Sequence, residues 1–438
     1  MDRPRERALV ILRDVEKGAF AGALVEEARR SFDARDSSFI LELVYGVLRN
    51  RALLDWTLDQ LSVQPVGKTD SWTRNILRLG AYQMRFLDRV PVSASVNTAA
   101  ELAKAYGKKS GYVNGLLRNL DRKRDAIPYP GSGDPIQRLS VLHSHPEWLV
   151  ARWVERFGAE AAETLLENNN RPAPLTIRTN TLKTTREGLK ASLDSEGART
   201  VDSTYSPIGL ELVSGPGFQE FSSFRKGWFA IQDEAAQLIS MMLAPRPGEK
   251  VLDACAAPGG KATHLAELMN NRGTLIALES DPKRIERIRE NSARLGASII
   301  VPTLGDATQY AEGVFDKVLI DAPCSGLGVL RRHPDGRWNK SEKSIKEKQA
   351  LQKKILENCS KLVKHGGALV YATCTTEPEE NENVIDDFLV KHAEFVFDDP
   401  RPFLPASAGK LVDAKGFFRT FPDEPATDGF FGARMVKK

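Results

Sequence analysis

The chain has 438 residues, of which 41% are hydrophobic and 27% charged, with a formal net charge of +4 at neutral pH. That length supplies apolar material for two or three domains, and the mild positive balance neither demands nor excludes a nucleic-acid partner. Four cysteines and no Cys-x-x-Cys pair exclude a disulfide framework, six histidines form no zinc pattern, and no apolar run reaches the ~18 residues of a membrane helix.

The start, "MDRPRERALVILRDVEKGAF", is an amphipathic helical pattern without the apolar core of a signal peptide, so a cytoplasmic location is expected. Helical spacing continues through "SSFILELVYGVLRNRALLDWTLDQL", "TRNILRLGAYQMRFL" and "SVNTAAELAKAYG", with Pro65, Gly67 and Pro91 as punctuation. Residues 1–128 are therefore expected to be an all-helical domain. They hold 22 Lys and Arg against 16 Asp and Glu. Lys104, Lys108, Lys109, Arg118, Arg122, Lys123 and Arg124 form a basic cluster there, suited either to a phosphate backbone or to a solvated helix face. A Pro/Gly/Ser linker is expected over 126–138. A small α+β domain over 139–228 follows, from helical "HPEWLVARWVERFGAEAAETLLENNN", strand "PLTIRTNTL", helix "TTREGLKASLDSEG" and strand "IGLELVSG".

Residues 229–438 change rhythm. Strands "KVLDACA", "GTLIALES", "ASIIVPTLGD", "FDKVLIDAP" and "GGALVYATC" alternate with amphipathic helices, which predicts a parallel sheet covered on both faces, with ligands at the strand carboxyl ends. The first strand runs into "DACAAPGGKAT", where Gly259 and Gly260 allow close backbone approach and a helix begins near Lys261. It is neither G-x-G-x-x-G nor a P-loop, so pyrophosphate and triphosphate cofactors are disfavoured. Glu279 ends the second strand, placed for ribose hydroxyls, and Asp306 follows the third, placed for an adenine amino group. A nucleoside cofactor without phosphates fits best, and S-adenosyl-L-methionine is the common one. Each acid alone reads equally as a helix cap.

Cys324 follows the fourth strand in "DAPCSG", and Cys374 ends the fifth in "YATCTTEPEENE". Neighbouring strands lie ~4.8 Å apart, so both thiols are expected to open onto the cofactor pocket. A thiol beside a methyl donor suits covalent catalysis on a pyrimidine. Addition at carbon 6 of cytosine makes carbon 5 nucleophilic, and the second thiol can serve as the base in release. Asp321 is placed to select and activate cytosine through its exocyclic amino group and protonated ring nitrogen. A lone strand-end cysteine is usually a small buried hydrophobe, the role assigned to Cys359 and, for its thiol, to Cys255.

"DACAAPGGKATHLAE", "DAPCSGLGVLRRHPD", "YATCTTEPEENE" and "TDGFFGARM" resemble, in order, motifs of the RNA 5-methylcytosine methyltransferases of the Nop2/Sun/Fmu group, over roughly residues 140–438. The resemblance implies a class I (Rossmann-like) S-adenosyl-L-methionine-dependent methyltransferase domain. It implies Cys374 as nucleophile, Cys324 in product release, and Asp321 on the base. It assigns the cofactor to Cys255, Ala256, Ala257, Pro258, Gly259, Gly260 and Lys261, with Glu279, Asp306 and Asp321. Thr373 before Cys374 favours RNA over DNA in that comparison. "ELVYGVLRN", "ILRLGAYQMRFL" and "PVSASVNTAAELAKAYGKKSGYVNGLLRN" resemble the NusB antitermination fold across 5–125. Together the two resemblances imply a monomeric enzyme of 16S rRNA with no membrane or DNA partner, and an RNA-holding middle domain with Arg178, Asn180 and Lys183 as candidate contacts. The alternatives are the same chemistry on tRNA, or a non-catalytic RNA-binding antitermination or assembly factor. The segment "HPDGRWNKSEK" after Cys324 is left without an assignment.

Overall fold

The computed structural model describes residues 2–107, 109–128, 130–131, 133–422 and 427–438. Lys108 of the basic cluster lies outside them. Two compact units emerge: Met1–Arg171 with Leu330–Asn339, and Pro172–Val329 with Lys340–Lys438.

The first unit is helical. Arg3–Glu16 starts where Asp2 accepts from the Arg5 N–H and Pro4 occupies the first turn. Ser71–Phe86, capped by Asp70 on the Thr73 N–H, runs through the core, with Ile76, Leu77, Leu79 and Ala81 buried among Leu9, Leu12, Leu43 and Leu117. It also buries Arg78, which is tolerable because both flanking acids meet it: Asp55 Oδ2 at 2.6 Å and Glu16 Oε1 at 2.6 Å. The segment read as a linker to residue 138 is shorter than expected. Asp134 caps and Pro135 opens a helix, Pro135–Leu142, because proline suits a first turn as well as a loop. Helices Glu147–Phe157 and Ala159–Asn170 complete the unit. Of the basic cluster, Lys109 pairs with Asp70 at 3.3 Å, and Lys104, Arg118, Arg122, Lys123 and Arg124 are exposed.

The second unit holds two sheets. The smaller is antiparallel, from β1 (Leu175–Thr179), β2 (Arg199–Asp202), β3 (Gly209–Ser214) and β4 (Phe229–Ile231), in the order β2-β3-β1-β4. Ile177, Leu210, Phe221 and Phe229 pack with Leu189 and Leu193 of the helix Arg186–Ser195. The larger sheet contains β5 (Lys250–Asp253), β6 (Thr274–Glu279), β7 (Ile300–Leu304), β8 (Phe315–Asp321), β9 (Val363–Thr373), β10 (Phe395–Phe397), β11 (Phe418–Arg419) and β12 (Phe431–Lys437). Its order is β10-β12-β9-β8-β5-β6-β7, with β11 on β12. β5 to β9 are all parallel, as the alternating pattern requires. The sheet is nevertheless mixed, since β12 lies antiparallel to β9 and β10 antiparallel to β12. From β5 the chain turns one way to β6 and β7 and the other way to β8 and β9. This switch point leaves a crevice at the carboxyl ends of β5 and β8.

Candidate active site

A cavity of about 290 Å3 opens at that crevice, lined among others by Ala257, Glu279, Asp306, Asp321, Cys324 and Cys374. Cys255 also lines it; burial, then the nearby Asp253 charge, raises its thiol well above the ordinary value. Ala256, Pro258, Gly259, Gly260 and Lys261 form the turn beside it, leading into the helix Gly260–Leu268. Gly259 sits at φ +100°, a backbone state that disfavours any side chain.

Each acid has a defined state. Glu279 ends β6 nearly buried; its Oε1 takes the Ser280 and Asp281 N–H groups at 2.9 and 3.0 Å, and its Oε2 lies 3.4 Å from Arg284 Nη1. Asp306 accepts from the Thr308 N–H and hydroxyl, both at 2.8 Å, and the N–H bond first holds its carboxyl below the usual range. It can accept from an amino group. Lys261 Nζ meets Asp321 Oδ2 at 2.6 Å. Burial pulls the ammonium down, but the Asp321 charge and hydrogen bond outweigh this and raise it. These donors and acceptors fit an adenosine group, and no phosphate cradle is built.

β8 and β9 are parallel neighbours with Asp321 opposite Ala372, so the two loops that follow emerge side by side. Cys324 Sγ and Cys374 Sγ are 3.3 Å apart. The hydrogen bond with Cys374 and then burial raise the Cys324 thiol well above its ordinary value. Cys324 is thus held as a thiol. Cys359, by contrast, is fully buried elsewhere, its thiol pushed up to about 12 by burial.

The rest of "YATCTTEPEENE" does work that the sequence reading passed over. The buried Glu380 carboxylate accepts from the Ser325 N–H at 2.8 Å and from Gln352 Nε2 at 2.9 Å, and Gln352 also donates to Pro323 O. Asn381 accepts from the Thr373 hydroxyl at 2.6 Å and donates to Thr375 O at 2.9 Å. Gly328 donates to Cys374 O at 3.1 Å and accepts from Gly429 at 2.8 Å. A Cβ on Gly328 would fall 2.0 Å from Gly429 O, so only glycine lets the three loops close. The signal was present as acidic and amide residues crowded behind a Thr-Cys pair.

The three proposed RNA contacts are otherwise engaged. Arg178 has no exposed surface. It holds Glu267 through Nη2 at 2.6 Å and Nε at 3.2 Å, and donates to Gly260 O at 2.7 Å and Gln232 Oε1. It therefore clamps the first and last turns of the helix after the cofactor loop. Asn180 is buried against the carbonyls of Gly227 and Leu295. Lys183 is exposed, but its Nζ is bonded to the carbonyls of Lys226 and Arg294. Alternation in "PLTIRTNTL" could not show which polar side faced another element.

The switch-point cavity, its carboxylates and the glycine turn at Gly259 define a class I S-adenosyl-L-methionine-dependent methyltransferase domain. Family profiles agree: one described as 16S rRNA methyltransferase RsmB/F matches residues 240–436, the NusB family matches 2–122, and the ferredoxin-like domain of RsmF/B-like methyltransferases matches 145–218. A probable ribosomal RNA small subunit methyltransferase B of Bacillus subtilis (strain 168) is 36% identical, over 99% of this chain and 98% of the relative. One of the same description from Synechocystis sp. is 37% identical over 99% of both. The crystal structure of PH0851 superposes with a TM-score of 0.82 at 30% identity, covering 99% of each chain. The chain belongs to the ribosomal RNA small subunit methyltransferase B family.

Proposed function

We propose that this chain methylates carbon 5 of a cytosine in 16S rRNA, with S-adenosyl-L-methionine as donor and Cys374 as covalent nucleophile. The observation that carries the reading is the pair of thiols 3.3 Å apart at the mouth of the nucleoside cavity, with Asp321 beside them. The rRNA substrate rests on the family and on the NusB-like helices. All lining residues come from the second unit, so one chain suffices, and the reading places the reaction in the cytoplasm.

When bound, the cofactor supplies an electrophilic methyl group on a sulfonium. Glu279 and Asp306 hold its ribose and adenine sides. The target base, unpaired or turned out of its stack, enters beside the cysteines. Asp321, paired with Lys261 through Oδ2, accepts from the exocyclic amino group through Oδ1; uracil carries a carbonyl oxygen at that position. Cys374 thiolate would add to carbon 6, and carbon 5 would then take the methyl group as the methyl–sulfonium bond breaks, leaving a thioether. Bonding of the Cys374 sulfur to carbon 6 removes the hydrogen bond that, ahead of burial, raises the Cys324 thiol. Cys324 then releases its proton to solvent, takes the carbon 5 proton, and the carbon–sulfur bond breaks to regenerate Cys374 thiolate.

Cys374→Ala should abolish methylation of purified 16S rRNA, read by bisulfite sequencing. Cys324→Ala should instead accumulate a protein–RNA adduct visible on a denaturing gel. Free turnover by Cys324→Ala would sink this division of roles, and methylation of tRNA in place of 16S rRNA would move the substrate.

A further inference from the structure

The helical unit carries a separate cavity of about 330 Å3, lined by Arg13, Lys17, Arg51, Arg74, Glu16 and Trp338. Four cations thus face one carboxylate. That carboxylate is already engaged, by Arg74 at 3.0 Å and by the buried Arg78 at 2.6 Å. Arg13 reaches Asp14 and lies over the Trp72 ring at 4.3 Å. Arg51 is different. It is half-buried, 4.8 Å over the Trp338 ring, and among the described residues no carboxylate lies within ion-pairing distance of it. Burial, and then the Arg78 charge, outweigh the nearby Asp55 and Glu16 charges and bring it down to about 10. A desolvated cation beside like charges is relieved by an incoming anion. Arg51 and Ser71 also open the helices Arg51–Asp59 and Ser71–Phe86, whose positive ends therefore meet this cavity. The indole N–H of Trp338 is fixed on Leu48 O at 2.9 Å, so the aromatic wall is held in place.

Guanidinium groups with an aromatic face are the chemistry that holds a nucleotide of single-stranded RNA. We propose that this cavity receives a phosphate and its adjoining ribose from the RNA substrate, outside the base that is methylated. The inference rests on the RNA-methylating reading and adds a site to it. Trp338 belongs to the segment that continues from the Cys324 loop, so the same stretch of chain serves both sites.

The test is binding of a 16S rRNA fragment to the full chain across a salt titration. Arg51→Gln should weaken binding roughly five- to tenfold and reduce the slope of log affinity against log salt by about one. Affinity for S-adenosyl-L-methionine and kcat at saturating RNA should stay unchanged. Arg51→Lys should keep the slope. Lys17→Gln, at an exposed position on the same rim, gives the same reading should Arg51→Gln not fold. Folded variants with wild-type affinity and slope would overturn the site alone. Wild-type protein that binds no RNA at any salt would overturn the functional reading and this site with it.

Discussion

Asp253 shows how one carboxyl group can carry a cost built into the site. It ends β5 with no exposed surface, and neither oxygen has a well-aligned partner among the described residues. Burial first, then the Asp321 charge, raise it from 3.8 to about 7. A carboxyl group raised on folding keeps its proton in the native state while the unfolded chain has lost it. Stability therefore falls as pH rises from about 4 to about 7 and stays lowered above that. That difference corresponds to roughly 4 kcal/mol at most. Asp253→Asn should thus gain on the order of 2–4 kcal/mol over the native chain at about pH 8 and almost nothing at about pH 4. Urea unfolding at both values measures this, and an equal gain at both would mean that Asp253 is ionised in the folded protein.

Arg178 matters at the level of elements, because it joins a strand of the small sheet to the helix behind the cofactor turn. Its bond to Gly260 O holds the first turn of that helix and its two bonds to Glu267 hold the last. Arg178→Lys keeps the charge but loses the fork, since a single ammonium cannot hold Glu267 and Gly260 O at these angles. The expected result is a KM for S-adenosyl-L-methionine raised about tenfold with the KM for RNA unchanged. A rise in the RNA KM alone would return Arg178 to the RNA-contact role. Such a link was beyond the reach of local pattern: Gly260 and Glu267 lie 82 and 89 residues further along the chain. What was legible were elements whose residues settle their own partners. The apolar runs of β5, β8 and β9, and the two cysteines at their ends, gave the parallel order and the paired thiols directly. The three-residue β4 and β10 and the two-residue β11 exist through antiparallel partners and carry too few residues for a period of two to appear. Pro135 read as linker because the same residue opens helices and breaks them.

On the scale of the whole molecule, the segment Leu330–Asn339 belongs by packing to the helices of the first unit, although it is encoded inside the methyltransferase half. Asp335 accepts from the Ala21 N–H, Arg331 O accepts from Arg49, and Arg337 is fully buried. Arg337 donates to the carbonyls of Ser144 and Asn169 at 3.1 Å and to Asn170 Oδ1 at 2.6 Å. Burial, then the Arg49 charge, lower it to about 9, yet its three acceptors would be left bare without it. Losing charged hydrogen bonds to buried acceptors costs about 2–3 kcal/mol. For a unit of this size, that is a fall of roughly 5–10 °C in its unfolding temperature. Arg337→Met should therefore lower one calorimetric transition of the full chain by that amount. Which transition moves can be assigned by adding S-adenosyl-L-methionine, because a ligand raises the melting of the unit that binds it. The transition that the cofactor does not raise is the one expected to drop. If the cofactor-sensitive transition dropped instead, the segment would be stabilising the methyltransferase fold and not the helices.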